Sequence, residues 1–164
     1  MSQAPNLQPV QRPNDPIRIE LLKKLISGWV RQSRWRARRL NIDTNVSLPE
    51  IYKIYEDFEF KCAYCGKDAD SPDHPFPIKD KAPCVAANVL PCCDGCRKHK
   101  KNRHIVKFYQ DGNIPEQVLH ELIRRMLKYS GGDKLREYIK QAMAQPKPET
   151  PPQPTPPQSP LQQP

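Results

Sequence analysis

From Ile17 onward, apolar residues recur at Ile19, Leu22, Ile26, Trp29 and Val30, the spacing of one helical face. The pattern predicts a helix that continues through Trp35 and Arg38 to Leu40, with arginines over its exposed side. Trp29 and Trp35 read as packing residues rather than as platforms for stacked bases. Residues 41–45 read as a turn. Ser47 then suits an N-cap, with Pro49 and Glu50 in the first turn behind it. Ile51, Ile54, Tyr55 and Phe58 give the second helix an apolar stripe. Residues 60–107 lack a long periodic run and read as short strands and loops ending in a helix. Ile114-Pro115-Glu116 opens another helix, with Val118, Leu119, Leu122, Ile123, Met126 and Leu127 as its apolar positions. Gly131-Gly132 breaks it, and a last short helix is expected over 133–144.

These elements divide the chain into five stretches. Residues 1–16 form a polar, proline-punctuated flexible arm, 17–59 a basic helical region, and 60–107 a cysteine-rich core. Residues 108–145 are helical, and 146–164 are a Pro-, Gln-, Ser- and Thr-rich tail expected to stay disordered. The 20 prolines of the 164-residue chain cluster at its two ends, so one domain is expected, with a folded part of smaller size. Apolar residues make up only 37%, and a core that small commonly needs a staple.

Charge changes the picture next. The net charge is +9, and it is concentrated in two blocks. One holds Arg18, Lys23, Lys24, Arg31, Arg34, Arg36, Arg38 and Arg39, opposed only by Glu20. The other holds Arg97, Lys98, Lys100, Lys101, Arg103 and Lys107 with no acid among them. Such blocks on a small domain point to a polyanion, most simply nucleic acid. The plainer alternative is a solvated, solubility-promoting surface.

Six cysteines include two knuckles, Cys62-Ala63-Tyr64-Cys65 and Cys93-Asp94-Gly95-Cys96. Two Cys-x-x-Cys pairs are a tetrahedral Zn2+ set of the structural kind. Cys84 and Cys92 are left over, although Cys92 beside Cys93 keeps the fourth ligand open. Met1 to Pro16 has no apolar core of a signal peptide, and no run suits a membrane span. An intracellular protein with metal-bound thiolates is therefore expected, with no membrane partner.

Asp73, His74 and Asn88 lie between the knuckles. A carboxylate can bind a hard divalent ion, and an adjacent imidazole can take a proton near neutral pH. Asn88 can fix the loop through its backbone, or serve simply as a turn former. Asp73-His74 alone would read as a surface turn. In order, Arg36-Ala37-Arg38-Arg39, Phe60-Lys61-Cys62-Ala63-Tyr64-Cys65-Gly66, Asp73-His74-Pro75-Phe76-Pro77 and Asn88-Val89-Leu90-Pro91-Cys92-Cys93-Asp94-Gly95-Cys96 resemble the HNH endonuclease family. The likeness spans roughly 36–103.

That resemblance implies an α+β fold with a ββα-metal core over 60–107, stapled by a four-cysteine zinc and flanked by helices. It places Cys62, Cys65, Cys93 and Cys96 on the structural zinc. Asp73 would be the acid that ligates a catalytic Mg2+ or Mn2+. His74 would be the general base for attack of water on a DNA phosphate, and Asn88 the loop-orienting residue. The position after the second knuckle, usually Asn or His in the family, is Arg97. Arginine has no lone pair for a metal. Three arrangements follow: metal bound by Asp73, phosphate and water with Arg97 on the transition state; His99 reaching the site; or Arg97 paired with Asp73 in the metal's place.

The expected function is thus DNA hydrolysis by nicking or cutting, with a catalytically impaired DNA-binding module or accessory subunit as the alternative. Arg31, Arg34, Arg36, Arg38, Arg39, Lys98, Lys100, Lys101 and Arg103 are the expected DNA contacts. The Pro-rich tail could dock a protein partner in polyproline II geometry, or act as a spacer. Family members occur in phage, mobile-element, restriction and repair proteins, a range that leaves the setting open.

Overall fold

The computed structural model describes residues 15–144. The proline-rich tail and nearly all of the N-terminal arm lie outside them. Helix α1, Pro16–Arg39, begins with Pro16 in its first turn, and the Asp15 carboxylate accepts from the Ile17 amide at 3.0 Å. Asp15 and Pro16, read from sequence as part of the arm, are therefore the start of the helix. Leu22, Ile26, Val30, Ser33 and Ala37 form its buried face. Its exposed side is less polar than expected, because Ile17, Leu21, Leu25 and Trp35 are more than half exposed.

Helix α2, Leu48–Asp57, follows Ser47, whose hydroxyl donates to Glu50 at 2.6 Å. Ser47 makes no side-chain bond to the helix amides. Arg34 ties α1 to the connecting loop by donating twice to the Val46 carbonyl, at 2.6 and 2.9 Å.

Two short strands come next, β1, Ser71–Asp73, and β2, Leu90–Cys92. They pair antiparallel with Ser71 opposite Cys92, Pro72 opposite Pro91 and Asp73 opposite Leu90. Neither proline can donate to the ladder, and a two-stranded sheet is marginal in isolation. The sheet is held by what packs on it: α1 against β1, and α2 against β2. Helix α3, Asp94–Lys100, follows β2 directly, with its first amide capped by the Asp70 carboxylate at 2.8 Å.

Three helices complete the fold: α4, Ile105–Gln110, α5, Glu116–Met126, and α6, Gly132–Ala144. One buried cluster unites Ile51, Ile54 and Tyr55 of α2 with Val89 and Leu90, Ile105 and Phe108, Leu119, Leu122 and Met126, and Leu135. The chain is thus α+β, a mostly helical fold around a two-stranded sheet. Among the described residues no helix is long and apolar enough to cross a membrane.

Gly131 has a structural reason to be glycine. Its φ of 82° is in the left-handed region, and a Cβ there would lie 2.5 Å from Val85 Cβ. This close approach lets the α5–α6 turn seat on the 85–88 segment, where Ala87 N donates to the Ser130 carbonyl at 2.9 Å.

Candidate functional site

The Sγ atoms of Cys62, Cys65, Cys93 and Cys96 lie within 4.8 Å of one another. All six cysteines are free thiols, and Cys65 and Cys93 approach to 3.6 Å. Tetrahedral zinc with bonds of about 2.3 Å needs sulfurs roughly 3.8 Å apart, so this quartet could hold such an ion. Local backbone makes the geometry. The first knuckle is closed by Cys62 N to the Lys67 carbonyl at 2.6 Å and Gly66 N to the Cys62 carbonyl at 2.9 Å. The second begins at the N-cap of α3, where Cys93 Sγ accepts from Cys96 N at 3.4 Å. Cys92 is not one of the four; its thiol donates to the Cys93 carbonyl at 3.3 Å and also hydrogen-bonds the Cys62 sulfur. Cys84 is buried and takes a bond from Thr44.

Asp73 closes β1, and His74 follows it into the loop. The fully buried Asn88 orders that loop by accepting from Phe76 N at 3.1 Å and donating to the Phe76 and Pro83 carbonyls at 2.7 and 3.0 Å. Its own carbonyl accepts from His74 Nδ1 at 2.8 Å. A carbonyl only accepts, so Nδ1 carries a proton and the neutral ring keeps its lone pair on Nε2. Nε2 is buried without a partner. The ring is also packed against Trp29 of α1, with centroids 4.6 Å apart. Burial holds the imidazole below its usual proton affinity; Lys100 and Arg36 act in the same direction, while the Asn88 carbonyl and Asp73 oppose it.

The Asp73 carboxylate has two donors on one oxygen. Tyr64 O–H donates at 2.7 Å and Lys100 Nζ lies at 3.1 Å. Burial and the Asp73 charge hold the Tyr64 hydroxyl in its protonated, donating form. The Lys100 side chain is only 1% exposed, and its ammonium also donates to the His74 carbonyl at 3.1 Å. A buried ammonium is retained where a carboxylate and further acceptors satisfy it. Lys100, read as a phosphate contact, is therefore enclosed beneath the site instead.

Asp73 and His74 line a cleft of about 1110 Å³ between α1 and the β1–α3 unit. Its walls carry Lys24, Arg36, Arg39, Lys79, Arg97 and Lys101, against only Asp70 and Asp73. Trp29 and Trp35 also line it. Trp35 is exposed, with the Arg39 guanidinium 4.9 Å from its ring centroid, and so is not the packing residue its spacing suggested.

The other expected site residues are placed differently. Arg97 pairs with Asp94 at 2.5 Å, not with Asp73. His99 Nε2 contacts Asn113 at 2.5 Å and its ring meets Phe108, away from the cleft. Arg34 is committed to Val46. Arg103 pairs with Asp111 and caps the α3 carbonyls of His99 and Lys100. Lys98 is exposed and paired with Asp94, and Arg31 and Arg38 are exposed outside the main cleft. Sequence reasoning missed Tyr64 and Lys79. The tyrosine sits inside the first knuckle, and that position is its only sequence signal.

Chemically, the arrangement offers a buried, unprotonated nitrogen on a residue that lines a cleft of positive charge, beside a carboxylate paired with a buried ammonium. No protein-family model matches the chain, and no curated protein matches it.

Proposed function

We propose that this protein is an HNH-type endonuclease that hydrolyses DNA phosphodiester bonds, on a ββα core stapled by zinc. The observation that carries the reading is His74 Nε2, a buried acceptor without a partner, on a ring whose tautomer is set by the bond from Nδ1 to Asn88. Leaving such a group unsatisfied costs about 1–3 kcal/mol, a cost that a reacting water would relieve. Strand, strand and helix follow in the order β1, β2, α3, and the cysteine quartet joins the first knuckle to the start of α3. The cations of the cleft supply the attraction for a phosphate backbone.

In this reading water sits at Nε2 and attacks phosphorus in line. A P–O bond forms to the water oxygen, the ester P–O bond breaks, and Nε2 takes the water's proton. The departing oxygen takes a proton from solvent. Asn88 and Trp29 position the base, and arginines of the cleft stabilise the added negative charge. A working Mg2+ or Mn2+ site is the part of the family pattern that the donors fit least well. Among the described residues only the four cysteines gather as three or more metal-type ligands.

The Asp73–Lys100 contact favours a second reading, a DNA-binding module that has lost hydrolysis. Supercoiled plasmid separates the two. Nicking by wild-type protein that His74→Ala abolishes while DNA binding persists supports the enzyme. Unchanged plasmid with retained, salt-sensitive binding supports the module.

A further inference from the structure

A divalent ion at Asp73 would need oxygen or nitrogen donors around it, and Mg2+ demands a near-octahedral set of six. The site provides few. One Asp73 oxygen already holds the Tyr64 hydroxyl and the Lys100 ammonium. Arg97 has no lone pair and lies on Asp94, and His99 is turned to Asn113. An incoming ion would also meet the buried Lys100 charge at close range, 3.1 Å from the same carboxylate oxygen. The residues present do not fit a divalent metal.

They fit a fixed organic cation. Lys100 is fully buried, its charge is met by Asp73, and its remaining bond goes to the carbonyl of the very residue that bears the base. One side chain thus neutralises the acid and fixes the backbone of His74. On the opposite wall, Arg36 lies seven residues from Trp29, two helical turns along the same face of α1, and lines the cleft with His74. Among the described residues it has no carboxylate partner.

We infer that Lys100 takes the place of a divalent cation at Asp73, so that hydrolysis in this cleft proceeds without Mg2+ or Mn2+ and Arg36 is the cation on the scissile phosphate. The inference rests on the hydrolytic reading above. Lys100 does not touch substrate; it is a positioning residue that acts through Asp73 and the His74 backbone. Arg36 is the catalytic residue, since its guanidinium offers a planar, permanently charged fork to two phosphate oxygens. The electron and proton flow is that of simple hydrolysis, with water as the only co-reactant.

Wild-type, full-length protein loaded with zinc decides the question. Mn2+ is titrated into it and followed by electron paramagnetic resonance, and plasmid nicking is compared in chelator and in Mg2+, with zinc content measured on the same samples. The expected result is no stoichiometric Mn2+ below millimolar concentration and nicking rates within about twofold in the two conditions. Lys100→Gln should then gain Mn2+ binding, and a double variant adding Asp73→Asn should lose it again. Arg36→Ala should slow nicking at saturating DNA by tenfold or more, and Arg36→Lys should restore part of it. Stoichiometric Mn2+ on the wild type, lost in Asp73→Asn, overturns the inference. So does nicking that requires Mg2+ or Mn2+ while zinc remains bound, and that result leaves the hydrolytic reading standing. Intact plasmid under every condition overturns both.

Discussion

The indole of Trp29 lies against the imidazole of His74, with ring centroids 4.6 Å apart and planes tilted by 38°. The candidate base is therefore held from two sides, by the Asn88 carbonyl at Nδ1 and by an aromatic face from α1. Trp29→Ala removes the second support. It should lower stability by about 1–3 kcal/mol, less than a fully buried tryptophan because Trp29 is half-buried, and should slow nicking. Trp29→Phe should recover most of both, as read by denaturant titration and plasmid assay.

Asn88→Ala strands the Phe76 amide and two carbonyls inside the protein. The expected loss is about 2–4 kcal/mol, since each buried polar group left without a partner costs about 1–3 kcal/mol. Denaturant midpoints should move with an unchanged slope, and His74→Ala, which leaves these bonds intact, should be milder.

The pH dependence has a definite sign. Burial lowers the proton affinity of His74 in the fold, so the neutral, basic form persists below the ordinary histidine value of about 6.5. Nicking should therefore rise with pH to a plateau, with its midpoint below about 6.5. Burial acts on His104 in the same direction. Because the unfolded chain binds more protons at these two positions, stability should be full above about 6.5 and fall as pH drops through the folded values. Denaturant titrations across pH 5–8, compared with His104→Gln, check the second half.

On the proposed zinc reading, removing metal from the cysteine quartet should unfold more than the knuckles. The quartet joins residues 62–65 to the start of α3, and a three-residue sheet interrupted by facing prolines lies between them. A strong chelator or Cys96→Ser should broaden and lower the thermal transition, and restoring Zn2+ should reverse the chelator effect. Zinc content of one per chain in the purified protein is the companion measurement.

Trp35 should matter for binding and little for stability. It is 54% exposed on the wall of the cleft, with Arg39 over its ring. Trp35→Ala should change stability by no more than about 0.5 kcal/mol, the usual range for surface positions. The same change should weaken single-stranded DNA by about 1–3 kcal/mol through lost base stacking, measured by fluorescence anisotropy.

Periodicity located α1, α2 and α5 because each buries one face at helical spacing, whereas α6 was read from the Gly131-Gly132 break before it. The cysteine quartet was legible as two knuckles because metal chemistry imposes local spacing. The cleft's charge balance was less legible. Arg97 and Lys100 are both basic residues of one short helix, and nothing in their order says that Lys100 turns inward to Asp73 while Arg97 stays with Asp94. Trp29 and Trp35 both lie on α1, yet only the first meets a partner wall. Which cation is buried and which aromatic is bare are decided by tertiary packing that one chain's pattern does not encode.

The contact between Gly131 and Val85 gives the C-terminal helices a reach far beyond their own residues. From the α5–α6 turn, one bond leads from Ser130 to Ala87, the next residue is Asn88, and its carbonyl holds His74. A side chain at 131, or an insertion lengthening that turn, would therefore be felt at the imidazole without touching the cleft. Tolerance to change in this protein follows the line of backbone support rather than distance from the site, and a glycine on the far side becomes as intolerant as the base it buttresses.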